Sequence, residues 1–250
     1  MKNVVLVYEG KEPSRAIKFI ANDIVARYDA TLLTTRIIEN KHSYTLKDKA
    51  FINNPHAIDD VSMQFVGGFV PGHVINTDEI AQFFTGNTPV LVIADDTCLH
   101  TSKILHYSRC PVMLVPAGYH FDGFSRISYI TDIRFCRTDI VKNISSLASK
   151  YNATLTVSHL SADGIPHLSN DYANTLFNRQ VASQLKHQPL QFDHIMERDV
   201  AKVVDVLVHA MATDLIVFAN HQWHLKALCK QGGMQSLASK LGVPVMIFPG

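Results

Sequence analysis

The residues most suggestive of chemistry lie near the C-terminus, where His221 and His224 stand three positions apart and Cys229 follows. Imidazoles at that spacing can share a face and bind a metal ion together. A zinc site needs further ligands with a defined second shell, and no fourth ligand is obvious here. We therefore predict no metal site, and we interpret both histidines as solvated loop residues with Trp223 packed against the domain.

Other pairs of reactive residues are weaker still. Cys98 and His100 form a second, less convincing pair, and Cys110 precedes an apolar run that suggests a small buried side chain. The sequence lacks the phosphate-binding G-x-x-x-x-G-K-[ST], the nucleophile elbow G-x-S-x-G, the dinucleotide motif G-x-G-x-x-G and the metalloprotease motif H-E-x-x-H. We predict that the protein is not an enzyme.

Composition excludes several classes of partner. The net charge is +1; residues 1–120 carry 11 Lys+Arg against 12 Asp+Glu, and the remainder carries 12 against 10. Neither half is basic enough to predict nucleic acid binding. No run approaches the roughly 18 uninterrupted apolar residues of a membrane span. The N-terminus has no secretion signal and the cysteines lack metal or redox spacing, so we expect reduced thiols and a cytoplasmic protein.

A repeated closing segment organises the chain. Pro111-Val112-Met113-Leu114-Val115-Pro116 and Pro244-Val245-Met246-Ile247-Phe248-Pro249 lie 133 positions apart. Such apolar runs are typical of strands that are covered on both faces of a sheet. The spacing suits one domain copied once. We predict two tandem domains, 1–118 (the first unit) and 119–250 (the second unit), joined by a short linker at 118–125.

Each unit reads as alternating strands and helices. In the first unit we predict strands at 4–8, 30–35, 63–70, 88–94 and 111–116. Helices are expected at 13–28, with Pro13 in the first turn, at 78–84, with Thr77 as N-cap, and at 97–108. Residues 39–60 read as a loop.

The second unit repeats this order with a longer middle section. Its predicted strands are 126–130, 153–159, 191–196, 214–219 and 244–249. A helix at 140–151 follows the first strand, and another at 169–187 has Leu168, Tyr172, Leu176 and Leu185 near its buried face. Further helices are expected at 199–211 and 232–241, with a loop at 220–232 between the fourth strand and the last helix.

This order predicts the α/β class, with two doubly wound, five-stranded parallel sheets related by a pseudo-twofold axis. An isolated unit would expose its apolar closing strand, which is an aggregation hazard. We expect the two closing strands to lie side by side within the chain. The molecule would then be an intramolecular pseudo-dimer, either monomeric or a homodimer.

The chain resembles the universal stress protein family in a tandem arrangement, over nearly all of both halves. The individual motifs are short, and their order and duplication carry the resemblance. They are Val5-Leu6-Val7-Tyr8-Glu9-Gly10 with Ser14, Ala16 and Ile17; Tyr129-Ile130-Thr131-Asp132; Asp214-Leu215-Ile216-Val217-Phe218-Ala219; and the two closing strands.

The resemblance implies a Rossmann-like fold of the adenine nucleotide alpha hydrolase type. In the ATP-binding branch it also implies an acid after the first strand, near the nucleoside, and Glu9 and Asp132 match that position. That branch further has Gly-x-x-Gly after the fourth strand and a later Gly-Ser or Gly-Thr. Glycines there let backbone N–H groups approach phosphates closely.

The glycine pattern is lost in the first unit and only weakly represented in the second. Ala94 and Asp95, followed by Asp96, stand where the first unit would need glycines, and carboxylates there would repel phosphates. In the second unit Ala219 and Gln222 replace the first glycines, and Gln231-Gly232-Gly233 represents the later pair. Lys226 and Lys230 remain in that loop, so a weak phosphate site at the Gly-Gly turn stays open.

Two functional hypotheses follow. The first is a non-catalytic stress-response scaffold or sensor that requires no cofactor and acts through unknown protein partners. The alternative is a sensor that binds ATP or AMP, with slow hydrolysis, in the second unit alone. Its candidate site comprises Asp132, Val157, Ala219, Asn220, Gln231, Gly232, Gly233 and Met234, with Glu9, Ala94 and Asp95 as the degenerate counterpart. Asp132 is equally explained as a turn acid that accepts backbone N–H bonds.

Overall fold

The computed structural model describes residues 2–9, 12–39, 69–185, 189–230 and 233–250. The first unit contributes strands β1 (Asn3–Glu9), β2 (Thr31–Ile38), β3 (Phe69–Asn76), β4 (Leu91–Asp95) and β5 (Val112–Val115). The second contributes β6 (Arg126–Thr131), β7 (Thr154–Leu160), β8 (Leu190–Ile195), β9 (Leu215–Ala219) and β10 (Val245–Phe248).

These strands form a single ten-stranded sheet in the order β3-β2-β1-β4-β5-β10-β9-β6-β7-β8. Every neighbouring pair is parallel except β5 and β10, which run antiparallel with Met113 opposite Met246. Each half therefore contributes five mutually parallel strands, as predicted, and the closing strands occupy equivalent positions. The two sheets are joined edge to edge, which removes the apolar edge that an isolated unit would expose.

The helices cover both faces of this sheet. The first unit has α1 (Arg15–Tyr28), α2 (Ile80–Gly86) and α3 (Thr101–Tyr107); the second has α4 (Thr138–Tyr151), α5 (Asn170–Gln180), α6 (Val200–Asp205), α7 (Trp223–Cys229) and α8 (Leu237–Leu241). Short 3-10 turns lie at Ile133–Phe135 and Ala182–Gln184, and α6 continues into a π-helical turn at Val206–Ala210. No helix among the described residues is long and apolar enough to cross a bilayer.

Alternating side chains of the central strands build a core on each face. Met113, Val115 and Met246 belong to one apolar cluster, and Val112 and Ile247 belong to the other. Both clusters draw residues from the two halves of the chain, so the units share their cores. This two-sided burial explains why the closing strands are apolar at every position.

Two sets of polar contacts also join the units. On one face the Tyr151 hydroxyl donates to Asp23, and the Arg27 guanidinium lies 4.2 Å from the centre of the Tyr151 ring. Arg27 also donates to the Lys150 carbonyl at 3.0 Å. On the other face Asp96 of the first unit binds the start of α8 in the second.

Several predicted boundaries in the first unit are wrong. Helix α1 begins at Arg15 with Ser14 as its N-cap, so Pro13 precedes the helix. The N-cap of α2 is Glu79 and not Thr77, and its carboxylate accepts the Asn76 N–H at 2.8 Å. Helix α3 starts at Thr101, four residues later than expected, because Glu9 binds the preceding N–H groups of Leu99 and His100.

The third strand also lies later than predicted. Strand β3 covers Phe69–Asn76, whereas the apolar pattern placed it at 63–70. It includes Pro71, which lacks an N–H donor, and it lies at the edge of the sheet, where such a residue is tolerated. The predicted loop at 39–60 lies outside the described residues apart from Glu39.

In the second unit the errors concern helix lengths. Helix α5 ends at Gln180 and not at 187, and Tyr172 is exposed while Ala173 and Phe177 face the core. The predicted loop at 220–232 contains α7, and the helix expected from 232 begins only at Leu237. Asp199 caps α6 through N–H bonds from Ala201 and Lys202, and Gly242 ends α8 with a φ of 75°, as its placement after the helix suggested.

Candidate functional site

The strand order places one crevice in each unit. Connections from β1 and β4 leave the sheet in opposite directions, as do those from β6 and β9, and ligands of open parallel sheets bind beyond the carboxyl ends of such strands. Glu9 and Asp95 end β1 and β4 in the first unit. Asp132 follows β6, and Ala219 ends β9 in the second.

Glu9 is fully engaged by the loop that follows β4. Its carboxylate accepts hydrogen bonds from the backbone N–H groups of Leu99 at 3.0 Å and His100 at 3.2 Å. It also bonds to His100 Nδ1 at 2.6 Å and accepts the Cys98 thiol at 3.0 Å. Burial alone would raise the pKa of Glu9, but the bonds from Cys98, His100 and Leu99 outweigh it and lower the pKa. The acid is thus an ionised anchor for the start of α3.

The two acids after β4 are also structural. The Asp95 carboxylate accepts the Ser14 N–H at 3.2 Å and the Ser14 hydroxyl, while Ala94 is fully buried in the sheet. Asp96 is fully buried and points to the second unit, where it accepts the N–H groups of Ala238 at 3.0 Å and Ser239 at 2.8 Å. Its own carbonyl accepts the Ser236 N–H at 3.1 Å.

Asp132 in the second unit is equally occupied. It accepts the Arg134 N–H at 3.1 Å and the Ala162 N–H at 3.3 Å, and it forms a two-pronged ion pair with the Arg134 guanidinium at 2.8 and 2.6 Å. Burial would raise the pKa of Asp132, but these bonds outweigh it and lower the pKa. Its side chain is only 3 % exposed. The interpretation of Asp132 as a turn acid that accepts backbone N–H bonds fits these contacts.

Two buried side chains of the segment after β9, Gln222 and His224, contact the ends of neighbouring strands. Gln222 donates through Nε2 to the Thr131 hydroxyl at 2.9 Å and to the Phe135 carbonyl at 3.3 Å. His224, which is 1 % exposed, bonds through Nε2 to the Leu160 carbonyl at 2.7 Å. These contacts tie the loop to the ends of β6 and β7, so residues of the protein itself fill the space between the strand ends.

The remaining candidates are spread along the crevice. The Asn220 N–H donates to the Phe248 carbonyl at 2.8 Å, Ala219 is fully buried, and Val157 lies inside β7 between Tyr129 and Phe192. Gly233 has a φ of 66° with open space around the position of a Cβ, and the Met234 sulfur lies 3.2 Å from the Cys229 sulfur. Gln231 and Gly232 lie outside the described residues.

The suspected metal ligands do not converge. His221 is exposed, but the interpretation as a solvated loop residue is wrong for His224, which is buried in α7 and bonded to a carbonyl. Cys229 contacts Met234. Across the described ranges, no group of at least three His, Cys, Asp or Glu side chains is placed to hold a metal ion.

A histidine cluster beside Asp132 is the feature that the sequence did not reveal. His159 lies near the end of β7 and pairs directly with His194 on β8. Their rings stack with centres 5.1 Å apart and 15° between the planes. His159 Nδ1 accepts the Ile133 N–H at 3.1 Å and lies 3.9 Å from Asp132. Only the parallel pairing of β7 with β8 brings these residues together, and no short motif marks it.

Comparisons with known proteins agree with this architecture. A universal stress protein from Archaeoglobus fulgidus DSM 4304 has a similar structure, with 12% identity and a TM-score of 0.61, covering 98% of this chain and 96% of its own. A proposed universal stress protein from Pseudomonas aeruginosa UCBPP-PA14 gives 13% identity and a TM-score of 0.59, covering 99% and 93%. A protein of unknown function from Pseudomonas aeruginosa PAO1 has 14% identity and a TM-score of 0.57. The match covers 99% of this chain and 92% of that protein.

No family model and no curated protein matches the sequence. The structural matches confirm the resemblance to universal stress proteins at the level of the fold, over nearly the full length of the chain.

Proposed function

We propose that the chain is a stress-response protein of the universal stress type that acts as a non-catalytic scaffold or sensor and has lost adenine nucleotide binding. The observation that supports this most is that the protein's own carboxylates take the backbone N–H groups that start α3 and α8. Glu9 binds Leu99 and His100, and Asp96 binds Ala238 and Ser239. Phosphate oxygens would compete for the same type of donor.

The side chains in the second crevice support the same conclusion. Gln222 bridges Thr131 and Phe135. Both carboxylate oxygens of Asp132 already accept hydrogen bonds, from Arg134 and from Ala162. A nucleoside would have to displace these buried bonds, each of which stabilises the structure by about 0.5–3 kcal/mol.

The test is titration calorimetry of the full chain with ATP, ADP and AMP, with and without magnesium. We expect no heat of binding at millimolar ligand. Micromolar binding to the parent chain that is lost in a folded Asp132→Ala variant, and retained in the exposed-surface control Asp122→Ala, would overturn the proposal.

The second candidate is an ATP or AMP sensor that uses the second unit alone. It is favoured by the open, positive-φ turn at Gly233 and by the exposed side chains of Lys226 and Lys230 nearby. Calorimetry decides between the two candidates, and a phosphate-release assay with ATP then tests for slow hydrolysis. Under the first candidate, phosphate release equals that of buffer.

We further propose that the protein is a monomer made of two tandem domains, 1–118 and 119–250. The pairing of β5 with β10 supports this, because the edge that another subunit could use is already paired within the chain. Light scattering coupled to size exclusion should give the mass of one chain, 27.9 kDa. Twice that mass would show a homodimer.

A further inference from the structure

Three histidines surround the end of the second sheet, and each has a ring nitrogen that the structure holds unprotonated. His159 Nδ1 accepts the Ile133 N–H at 3.1 Å, and His167 Nε2 accepts the Arg198 Nε–H at 3.0 Å. His194 Nδ1 pairs with the Asn170 side-chain oxygen and therefore carries the proton, which leaves Nε2 bare.

One ring nitrogen of each histidine has no hydrogen-bond partner in the described part of the chain. His159 Nε2, His194 Nε2 and His167 Nδ1 are all buried without a hydrogen bond. Protonation would place donors on Nδ1 of His159 and Nε2 of His167, where each now faces the N–H of its partner. On His194 it would create a buried N–H with no acceptor, which is costly.

Most of the charges around the cluster oppose further positive charge. Arg134 lies in the Ile133–Phe135 turn, and Arg198 follows β8 and also donates to the Ile165 carbonyl at 2.9 Å. His194 stacks on His159, so their two charges would repel each other across 5.1 Å. Asp132 is the nearest acid, and its oxygens are already committed to Arg134 and Ala162.

Burial lowers the pKa of His159 to about 4, against the opposing effect of the Asp132 carboxylate. Burial and the neighbouring His167 also lower the pKa of His194. Both directions agree with the bonding pattern, which by itself requires neutral imidazoles.

The same contacts fasten the segment that covers this end of the sheet. Arg134 donates to the Pro166 carbonyl at 2.9 Å, Arg198 to His167 and the Ile165 carbonyl, and Ala162 to Asp132. Losing the histidine bonds would remove one anchor of the Ile133–Phe135 turn, the Ile133 N–H bond to His159, and one anchor of the covering loop at 162–169, the Arg198 bond to His167.

We propose that His159, His167 and His194 form an acid-sensitive latch, in which protonation of these imidazoles releases the loop at 162–169 and the Ile133–Phe135 turn from the end of the sheet. The latch operates whether or not the crevice binds a nucleotide, so it stands apart from the proposed function. Acidification would expose the strand ends of the second unit while the rest of the sheet stays paired.

Hydrogen–deuterium exchange of the full chain at pH 7 and pH 5, with rates corrected for the intrinsic pH dependence, tests the latch. For one histidine whose pKa rises from about 4 in the closed state to 6.5 in the open state, the opening constant increases roughly twentyfold between these pH values. We expect an increase of at least that size in peptides covering 133–135 and 162–169, with β6 and β9 still protected.

Two variants replace an imidazole acceptor with an amide oxygen. His159→Asn keeps an oxygen near the Nδ1 position, and His167→Gln keeps one near the Nε2 position. Each should reduce the pH response of both peptides, and His167→Gln decides the matter if His159→Asn does not fold. The control is His209→Gln, whose side chain is 70% exposed and pairs with Asp205, and it should keep the full response.

Three results would overturn the latch. One is no increase in exchange at pH 5 in the parent chain. Another is the same increase in the parent and in both variants. The third is an equal increase across the whole sheet, which would indicate global acid unfolding instead of local release.

Discussion

Replacing Asp96 tests whether one carboxylate of the first unit stabilises the second. Asp96 is fully buried, and it accepts the N–H groups of Ala238 and Ser239 at the start of α8. An alanine at this position leaves both N–H groups without their charged acceptor. Since α8 leads directly into the closing strand β10, the loss should be felt at the junction of the two halves.

The magnitude follows from the burial of the two donors. A hydrogen bond to a charged group contributes about 1.5–3 kcal/mol. Ala238 is fully buried, so its N–H cannot recover a bond with water, whereas Ser239 is exposed and its N–H can be rehydrated. We therefore expect Asp96→Ala to lower the free energy of unfolding by about 2–4 kcal/mol, and Asp96→Asn, which keeps one acceptor, by about half as much.

Urea unfolding followed by circular dichroism and by fluorescence provides the assay. Trp223 is the single tryptophan and lies in α7 of the second unit, so its fluorescence reports on the unit that does not contain Asp96. The midpoints from both probes should shift together, without a change in slope. The control is Asp122→Ala, whose side chain is 82% exposed and which should change stability by less than about 0.5 kcal/mol.

The reasoning would be refuted if Asp96→Ala matched Asp122→Ala in both signals. It would also be refuted if the dichroism midpoint shifted while the Trp223 signal did not, because the bonds of Asp96 would then stabilise only the first unit.

Three further predictions concern burial and packing. Tyr151→Phe removes the bond to Asp23 but keeps the ring beneath Arg27, so chemical denaturation should show a loss of about 0.5–2 kcal/mol. Burial raises the pKa of the Cys110 thiol to about 12, so mass spectrometry should find it unmodified by iodoacetamide at pH 8 in the native protein and modified in urea; rapid native labelling would contradict its burial. Because burial lowers the pKa of His159 below its unfolded value, the stabilising contribution of this histidine is complete above about pH 6.5 and is lost as the pH falls towards 4. The free energy of unfolding should therefore drop by about 2 kcal/mol between pH 7 and pH 5. An equal drop in the His159→Asn variant would exclude His159 as its source.

The architecture could largely be predicted from the sequence because burial on both faces leaves a strong local pattern. Apolar runs such as 112–115 and 245–248 need no tertiary information to be recognised as central strands, and their repetition indicated the two halves. One of the two edge strands, β3, was predicted less well, whereas the other, β8, lies within one residue of its prediction. Strand β3 lies at the rim of the sheet, where a residue without an N–H such as Pro71 is tolerated, and the apolar pattern placed it too early in the sequence.

The candidate site could be predicted only in part. Glu9 and Asp132 were singled out through the resemblance to universal stress proteins, which implies an acid at the carboxyl end of the first strand; Glu9 ends β1 and Asp132 directly follows β6. Whether these acids were free to bind a ligand could not be predicted, since their partners lie far away in sequence. Glu9 is bound by residues about 90 positions later, and Ala162 reaches Asp132 across 30 positions.

The sequence by itself determined the class of fold and the duplication, because these depend on residue type and on local periodicity. The tertiary structure alone decided what the polar side chains after β4 and β9 contact: Asp96 reaches across the unit boundary to α8, and Gln222 bonds to Thr131. It also assembled His159 and His194, which face each other only through the pairing of β7 with β8. The physical reason is that burial leaves its mark on each strand separately, whereas the partner of a buried polar group depends on the order in which the strands assemble.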